Sequence, residues 1–160
     1  MKIARKIVPH LWFNTNAEEA VNFYVSLFAD SAIGRIARYG DTGPGPKGQV
    51  MSIGFTLNGQ QFAALNGGPM FQFNEAVSFL IWCETQEEID SLYDKLLEGG
   101  KAQQCGWVKD RFGLVWQVNY AGLQEMVSGA DAAASARAMQ AMMVMEKIEI
   151  QKLKDAYAGK

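Results

Sequence analysis

The sequence predicts an α+β fold: two βαβββ modules followed by a helical C-terminal extension. Three observations carry this. A strand, helix, strand, strand, strand pattern occurs twice. The helical faces of the two copies match at an offset of 69, which takes Ala20 to Ile89, Phe23 to Leu92, Tyr24 to Tyr93, Leu27 to Leu96 and Phe28 to Leu97. In the hairpins an offset of 53 takes Ala64 to Gln117 and Leu65-Asn66 to Val118-Asn119. From Gly129 the alternation stops and an Ala- and Met-rich stretch reads as helix.

In the first module, Ile7–Phe13 is apolar and reads as a strand. Asn14-Thr15-Asn16 supplies capping residues, and Ala17-Glu18-Glu19 opens a helix with acids at its positive end. Ile33–Tyr39 reads as a second strand, and Gly40–Gly48 as a Gly/Pro loop. Met51, Ile53, Phe55 and Leu57 alternate with small or polar residues, Asn58-Gly59 is a hairpin signal, and Gln60–Asn66 returns as the partner strand. The second module repeats the plan. Val77–Glu84 is a strand, and Thr85 with Glu88 forms a capping-box pattern. A helix with Ile89, Leu92, Tyr93, Leu96 and Leu97 on one face stops at Gly99-Gly100, and strands over 102–109 and 114–120 flank an Asp110–Gly113 turn. The modules span about 6–67 and 76–120. Residues 1–128 form one domain and 129–160 its extension, not a separate domain. In the extension, helix breaks near 147–150. Met139, Met142, Met143 and Met145 form a stripe that packs on the domain or on a second subunit; a soft Cu(I) site is the alternative.

Composition excludes several classes. At 160 residues, 49% apolar and 20% charged, the chain reads as one globular domain. A net charge of −2 gives no basic field for nucleic acid or anionic lipid. No apolar run approaches the roughly 18–20 residues that span a bilayer. The N-terminus, Met-Lys-Ile-Ala-Arg-Lys, starts basic but lacks the apolar core of an export signal, so a cytoplasmic protein with reduced Cys83 and Cys105 is expected. A disulfide between them stays open at this level. One His and two Cys cannot close a four-ligand zinc site from one copy, and any Ser–His–Asp or Cys–His catalysis must use His10. The segment GPGPKG at 43–48 lacks phosphate-loop spacing, and its prolines remove amide donors, so it reads as a mobile flap. Lys109-Asp110-Arg111 reads as a solvated charge cluster.

The paired modules resemble the vicinal oxygen chelate superfamily, which includes glyoxalase I, extradiol dioxygenases and bleomycin-resistance proteins. PHLWFNTNAEEAVNFY, LNGQQFAALNGGPMFQFNEAVSF, CETQEEID and CGWVKDRFGLVWQ are similar to its PhnB-like branch, whose members often carry the name 3-demethylubiquinone-9 3-methyltransferase. The resemblance implies a glyoxalase-like fold in which the modules form a curved, incomplete barrel, and homodimers are common in it. In metal-dependent relatives four strand positions hold one divalent ion. Here they fall on His10, near Ala64, on Ser78 or Phe79, and on Gln117. One imidazole and one amide fall short of a durable site, so no metal and no cofactor are expected.

Strand parity then groups His10, Trp12 and Asn14 with Phe62, Ala64 and Asn66, and Ser78, Leu80 and Trp82 with Val115, Gln117 and Asn119. Aromatic walls with a few polar groups compose a small-molecule pocket. The expected ligand contacts are His10, Trp12, Asn14, Phe62, Asn66, Ser78, Trp82 and Gln117. Three functions fit: a metal-free small-molecule-binding protein of undefined role; a lyase, isomerase or transferase with His10 and Gln117 as catalytic candidates; and a drug-sequestering protein. The first strand leads into NTNAEE without the glycine-rich turn of a Rossmann-type methyltransferase, so nothing supports binding of S-adenosylmethionine. No nucleic-acid or membrane partner is expected.

Overall fold

The computed structural model describes residues 7–160. The basic N-terminal segment and the first residue of the first expected module lie outside the described residues. The chain divides into two compact units, 1–72 and 73–160, each of which is considered by itself.

The first unit has the expected βαβββ order: β1 (His10–Phe13), α1 (Ala17–Leu27), β2 (Ala32–Arg38), β3 (Val50–Leu57) and β4 (Gln60–Asn66). The sheet runs β1-β4-β3-β2, with β1 parallel to β4 and the other pairs antiparallel. β1 starts at His10 rather than Ile7, which is exposed. Asn58 and Gly59 turn the β3–β4 hairpin at φ 46° and 72°, the positive pair that a tight two-residue turn needs. Ala17, Ala20, Val21 and Tyr24 of α1 are buried, as are Leu11, Phe13, Ile53, Phe55 and Ala64 of the sheet.

The α1 N-terminus departs from expectation. Asn16 occupies the cap but makes no side-chain capping bond. Asn66, 49 residues away, does the work: its Oδ1 accepts from Ala17 N at 2.9 Å and its Nδ2 donates to Val50 O at 3.0 Å. A buried side-chain amide satisfies two backbone groups that would otherwise be orphaned.

The second unit contains β5 (Phe79–Cys83), α2 (Gln86–Leu97), β6 (Lys101–Ala102), β7 (Trp107–Lys109), β8 (Val115–Tyr120), α3 (Leu123–Ser128), α4 (Ala132–Met143) and α5 (Ile150–Ala158). Its sheet repeats the plan as β5-β8-β7-β6. The molecule is thus α+β, with two open four-stranded sheets and five helices among the described residues. Neither sheet closes on itself. Thr85 Oγ1 accepts from Glu88 N, and the Glu88 carboxylate accepts from Glu84 N, so the sequence's capping signal operates.

This unit departs from the expected pattern in three places. The expected strand over 102–109 is split by a turn in which Cys105 and Gly106 have φ 62° and 78°. Their amides donate to Met145 O and Glu146 O, both at 2.7 Å. A Cβ on Gly106 would sit 2.6 Å from Val118 O, so only glycine fits there. Second, Asp110 is buried, not solvated. Its Oδ1 accepts from Phe112 N and Leu114 N, and its Oδ2 from Trp116 Nε1 at 2.9 Å. Third, α3 precedes the expected helical tail, which breaks between α4 and α5. That 144–149 strap is fastened to its own unit. Gln86 Nε2 donates to Ile148 O, Gln86 Oε1 accepts from Ile150 N, and Met145 and Ile148 are buried. Met139 and Met143 stay exposed.

Candidate functional site

In the first unit the register pairs His10 with Ala63 and Trp12 with Leu65, and then Leu65 with Ser52 and Ala63 with Gly54. Residues paired across a ladder share a face. One face therefore carries His10, Trp12, Ala63, Leu65, Ser52 and Gly54. Leu11, Phe13, Phe62, Ala64 and Asn66 take the other, where α1 packs. The expected parity of β4 is off by one residue. Phe62 stacks on Phe55 at 5.4 Å within the buried layer, Ala64 is fully buried, and the Asn66 side chain is engaged at the helix terminus.

The open face forms the floor of a cleft of about 480 Å³. His10, Trp12, Ser52 and Leu65 lie on its floor. Asn14, Thr15 and Gly67-Gly68 line one rim, and Tyr39 with Pro44, Gly45 and Pro46 line another. Trp12 is held by its Nε1 donating to Gly68 O at 2.9 Å and by edge contact with Phe71 at 5.0 Å. A Cβ on Gly67 would lie 2.2 Å from Trp12 Cζ2, so the indole uses space that only glycine leaves. Tyr39 donates from its hydroxyl to Asn66 O at 2.8 Å. The GPGP loop lies on the Tyr39 ring: a Cβ on Gly45 would meet it at 2.4 Å. Tyr39 N bonds Gln49 O, and Gly48 N bonds Tyr39 O, so the expected flap is a wall tied at its base.

His10, Trp12 and Asn14 thus gather in one cleft, joined by Asn66 through its position rather than a free side chain. Sequence parity missed Tyr39, Gln49, Met51, Ser52 and Leu65. The signal for Ser52 and Leu65 was present: the two-residue Asn58-Gly59 turn pairs position 52 with 65, opposite the apolar set of β3.

The other expected residues belong to the second unit. Leu80 pairs with Gln117, and Trp82 with Asn119. Gln117 Nε2 donates to Ser78 Oγ at 2.7 Å. Leu80 and Trp82 are 44% and 49% exposed. Equivalent bonds, Gly67 N to Phe13 O and Ala121 N to Cys83 O, align the modules one residue beyond the offsets that the sequence suggests. The position equivalent to Gln117 is therefore Ala63, not Ala64, and that equivalent to His10 is Leu80, not Ser78 or Phe79.

A divalent metal does not fit this set: Ala63 and Leu80 have no donor, and Gln117 offers one neutral amide. Among the described residues no three His, Cys, Asp or Glu side chains cluster. The strand–helix turns, Asn14–Asn16 in the first unit and Glu84-Thr85 in the second, carry none of the glycines of a turn that holds S-adenosylmethionine. The first amide of α1 is bonded by Asn66, and Glu88 N of α2 by Thr85. Both cysteines are free thiols; burial pushes the Cys83 thiol up to about 11. No helix among the described residues is long and apolar enough to cross a membrane.

A family model described as 3-demethylubiquinone-9 3-methyltransferase matches residues 5–119. Among solved structures, the chain is similar to a PhnB protein from Bacillus cereus that bears the same description, with 40% identity over 73% of this chain and 100% of that one and a TM-score of 0.69. It is similar to protein PA1353 from Pseudomonas aeruginosa, with 26% identity over 73% and 98% and a TM-score of 0.61. The fosfomycin resistance protein FosX from Listeria monocytogenes, solved with Mn(II) and sulfate, shares 10% identity over 78% and 95% with a TM-score of 0.51, a likeness of fold alone. A comparison with curated proteins finds no match.

Proposed function

Because the chain belongs to the PhnB-like family described as 3-demethylubiquinone-9 3-methyltransferase, we propose that it binds a small organic molecule, without a metal, in the cleft on the first sheet. His10, Trp12 and Asn14 contact the ligand. Asn66 and Phe62 shape the site from behind. On the second unit's own sheet, Ser78, Trp82 and Gln117 present the corresponding open face. The observation that carries this reading is the cleft itself: a 480 Å³ depression whose aromatic walls are locked by hydrogen bonds while its lone imidazole is left unengaged among the described residues. Pre-formed walls lower the ordering entropy lost on binding.

The same reading makes residues 1–128 the binding domain and 129–160 its extension, supported by the strap bonds at Gln86. It also makes the protein a cytoplasmic homodimer, supported by two free thiols and by the exposed Leu80, Trp82, Met139 and Met143.

The test is a fragment screen by ligand-observed NMR, on the wild type and on a cleft-filled Ser52→Trp variant. Binders that disappear in the variant support the reading. The same binders in both proteins, or none in either, overturn it.

A further inference from the structure

The cleft's polar groups divide into those already engaged and those still available, and the division points to a ligand class. The two aromatic walls have no free donor to offer. Trp12 Nε1 is bonded to Gly68 O, and the Tyr39 hydroxyl donates to Asn66 O, so both rings present hydrocarbon faces and edges. Asn66 is likewise engaged at both ends of its amide. What remains is His10, Asn14, Thr15, Gln49 and Ser52, whose side chains have no hydrogen-bond partner among the described residues.

No Asp, Glu, Lys or Arg lines the cleft. The charges of the bordering segment face partners of their own. Arg38 bonds Gly48 O and the Glu18 carboxylate, at 3.2 Å and 3.0 Å, and Lys47 meets Asp41 at 2.7 Å. An ionic ligand would therefore give up its hydration with no opposite charge to receive it, a penalty that neutral hydrogen bonds do not offset. A neutral group keeps its balance, because the available side chains include both donors and acceptors.

The floor supplies the shape. Trp12, Leu65 and Ser52 form one row across three strands, and beside it His10, Ala63 and Gly54 form another. The second row carries nothing larger than a methyl next to the imidazole, so Trp12 and Leu65, which line the cleft, support the side of a flat body whose edge meets His10.

We infer that the cleft selects an uncharged, flat, largely apolar ligand carrying a neutral hydrogen-bonding group that meets His10. This rests on the cleft reading proposed above and adds the charge and shape of the ligand.

The experiment uses three compounds of nearly equal size at pH 7.5: 2-naphthamide (neutral), 2-naphthoate (anionic) and 2-naphthylmethylammonium (cationic). Affinities for the full-length protein are measured by calorimetry and for the Ser52→Trp variant in parallel. Met51→Trp, at an exposed lining position, takes its place if that variant does not fold by circular dichroism. The amide binds at least tenfold more tightly than either ion, and loses that binding in the filled variant. An ion that binds as tightly as the amide, with binding still lost on filling the cleft, overturns the charge selection and leaves the cleft reading standing. No binding by any of the three, or binding indifferent to filling, overturns the cleft reading and the ligand class with it.

Discussion

Replacing Asp110 by alanine removes a three-point clasp from the second unit. The carboxylate is 3% exposed and accepts from Phe112 N at 2.8 Å, Leu114 N at 3.0 Å and Trp116 Nε1 at 2.9 Å. Leu114 and Trp116 are themselves buried, so water does not replace the lost acceptor for them. Net losses of about 1–1.5 kcal/mol per bond, with two donors left unpaired, sum to about 4 kcal/mol. Asp110→Asn keeps a carbonyl for the two amides but, with Oδ1 held there, turns an NH₂ group toward the indole N–H, so it costs about 2 kcal/mol. Urea unfolding followed by circular dichroism reads both: with a slope of about 2 kcal/mol/M, the midpoint falls by about 2 M for alanine and about 1 M for asparagine at unchanged slope. A loss below about 1 kcal/mol for alanine, or an asparagine variant worse than alanine, refutes the clasp.

Other expectations follow from the same geometry. Asn66→Ala, which orphans Ala17 N and Val50 O, destabilises by about 2–3 kcal/mol in urea unfolding. Gln86→Ala frees the strap at Ile148 and Ile150, so amide exchange in residues 145–158 rises while that of β3 and β4 is unchanged. A disulfide reagent at pH 8 titrates one thiol in the folded protein; Cys105→Ser abolishes that reaction, because burial keeps Cys83 protonated up to about 11. The Gln86 side-chain hydrogen bond is the largest influence lowering the Asp90 carboxyl, with Lys147 adding to it. A depressed carboxyl contributes stability above its unfolded value of 3.8, and that contribution is lost as pH falls through the folded value. The acid unfolding midpoint of Lys147→Met therefore lies at higher pH than that of the wild type.

The fold was legible where local rules act alone. The Asn58-Gly59 turn and the alternation of β3 place both hairpin strands at their observed bounds, and Thr85 with Glu88 starts α2 where the capping pattern puts it. The site was less legible because its register is not local. Period-two alternation says which residues of one strand share a face, not which face meets the neighbour's; in β4, Phe62, Ala63, Ala64 and Leu65 are apolar on both sides, so the pattern there is silent. Only the hairpin count carried from β3 orients it. Asp110 and Asn66 were hidden for another reason. Asp110 sits between Lys109 and Arg111 and looks like a solvated turn, and Asn66 caps a helix that begins 49 residues earlier. Neither partner is within the reach of sequence spacing.

Ligand binding in the cleft on the first sheet is read from chemical shifts at the cleft's own residues. With 13C-labelled protein, titration of 2-naphthamide is followed at the His10 ring and the Met51 methyl, with the buried Ile148 and Leu153 methyls of the second unit as controls. Saturable shifts are expected at His10 and Met51, and none at Ile148 or Leu153. Shifts confined to the second unit, or none at His10 up to the solubility limit, would contradict binding in the cleft.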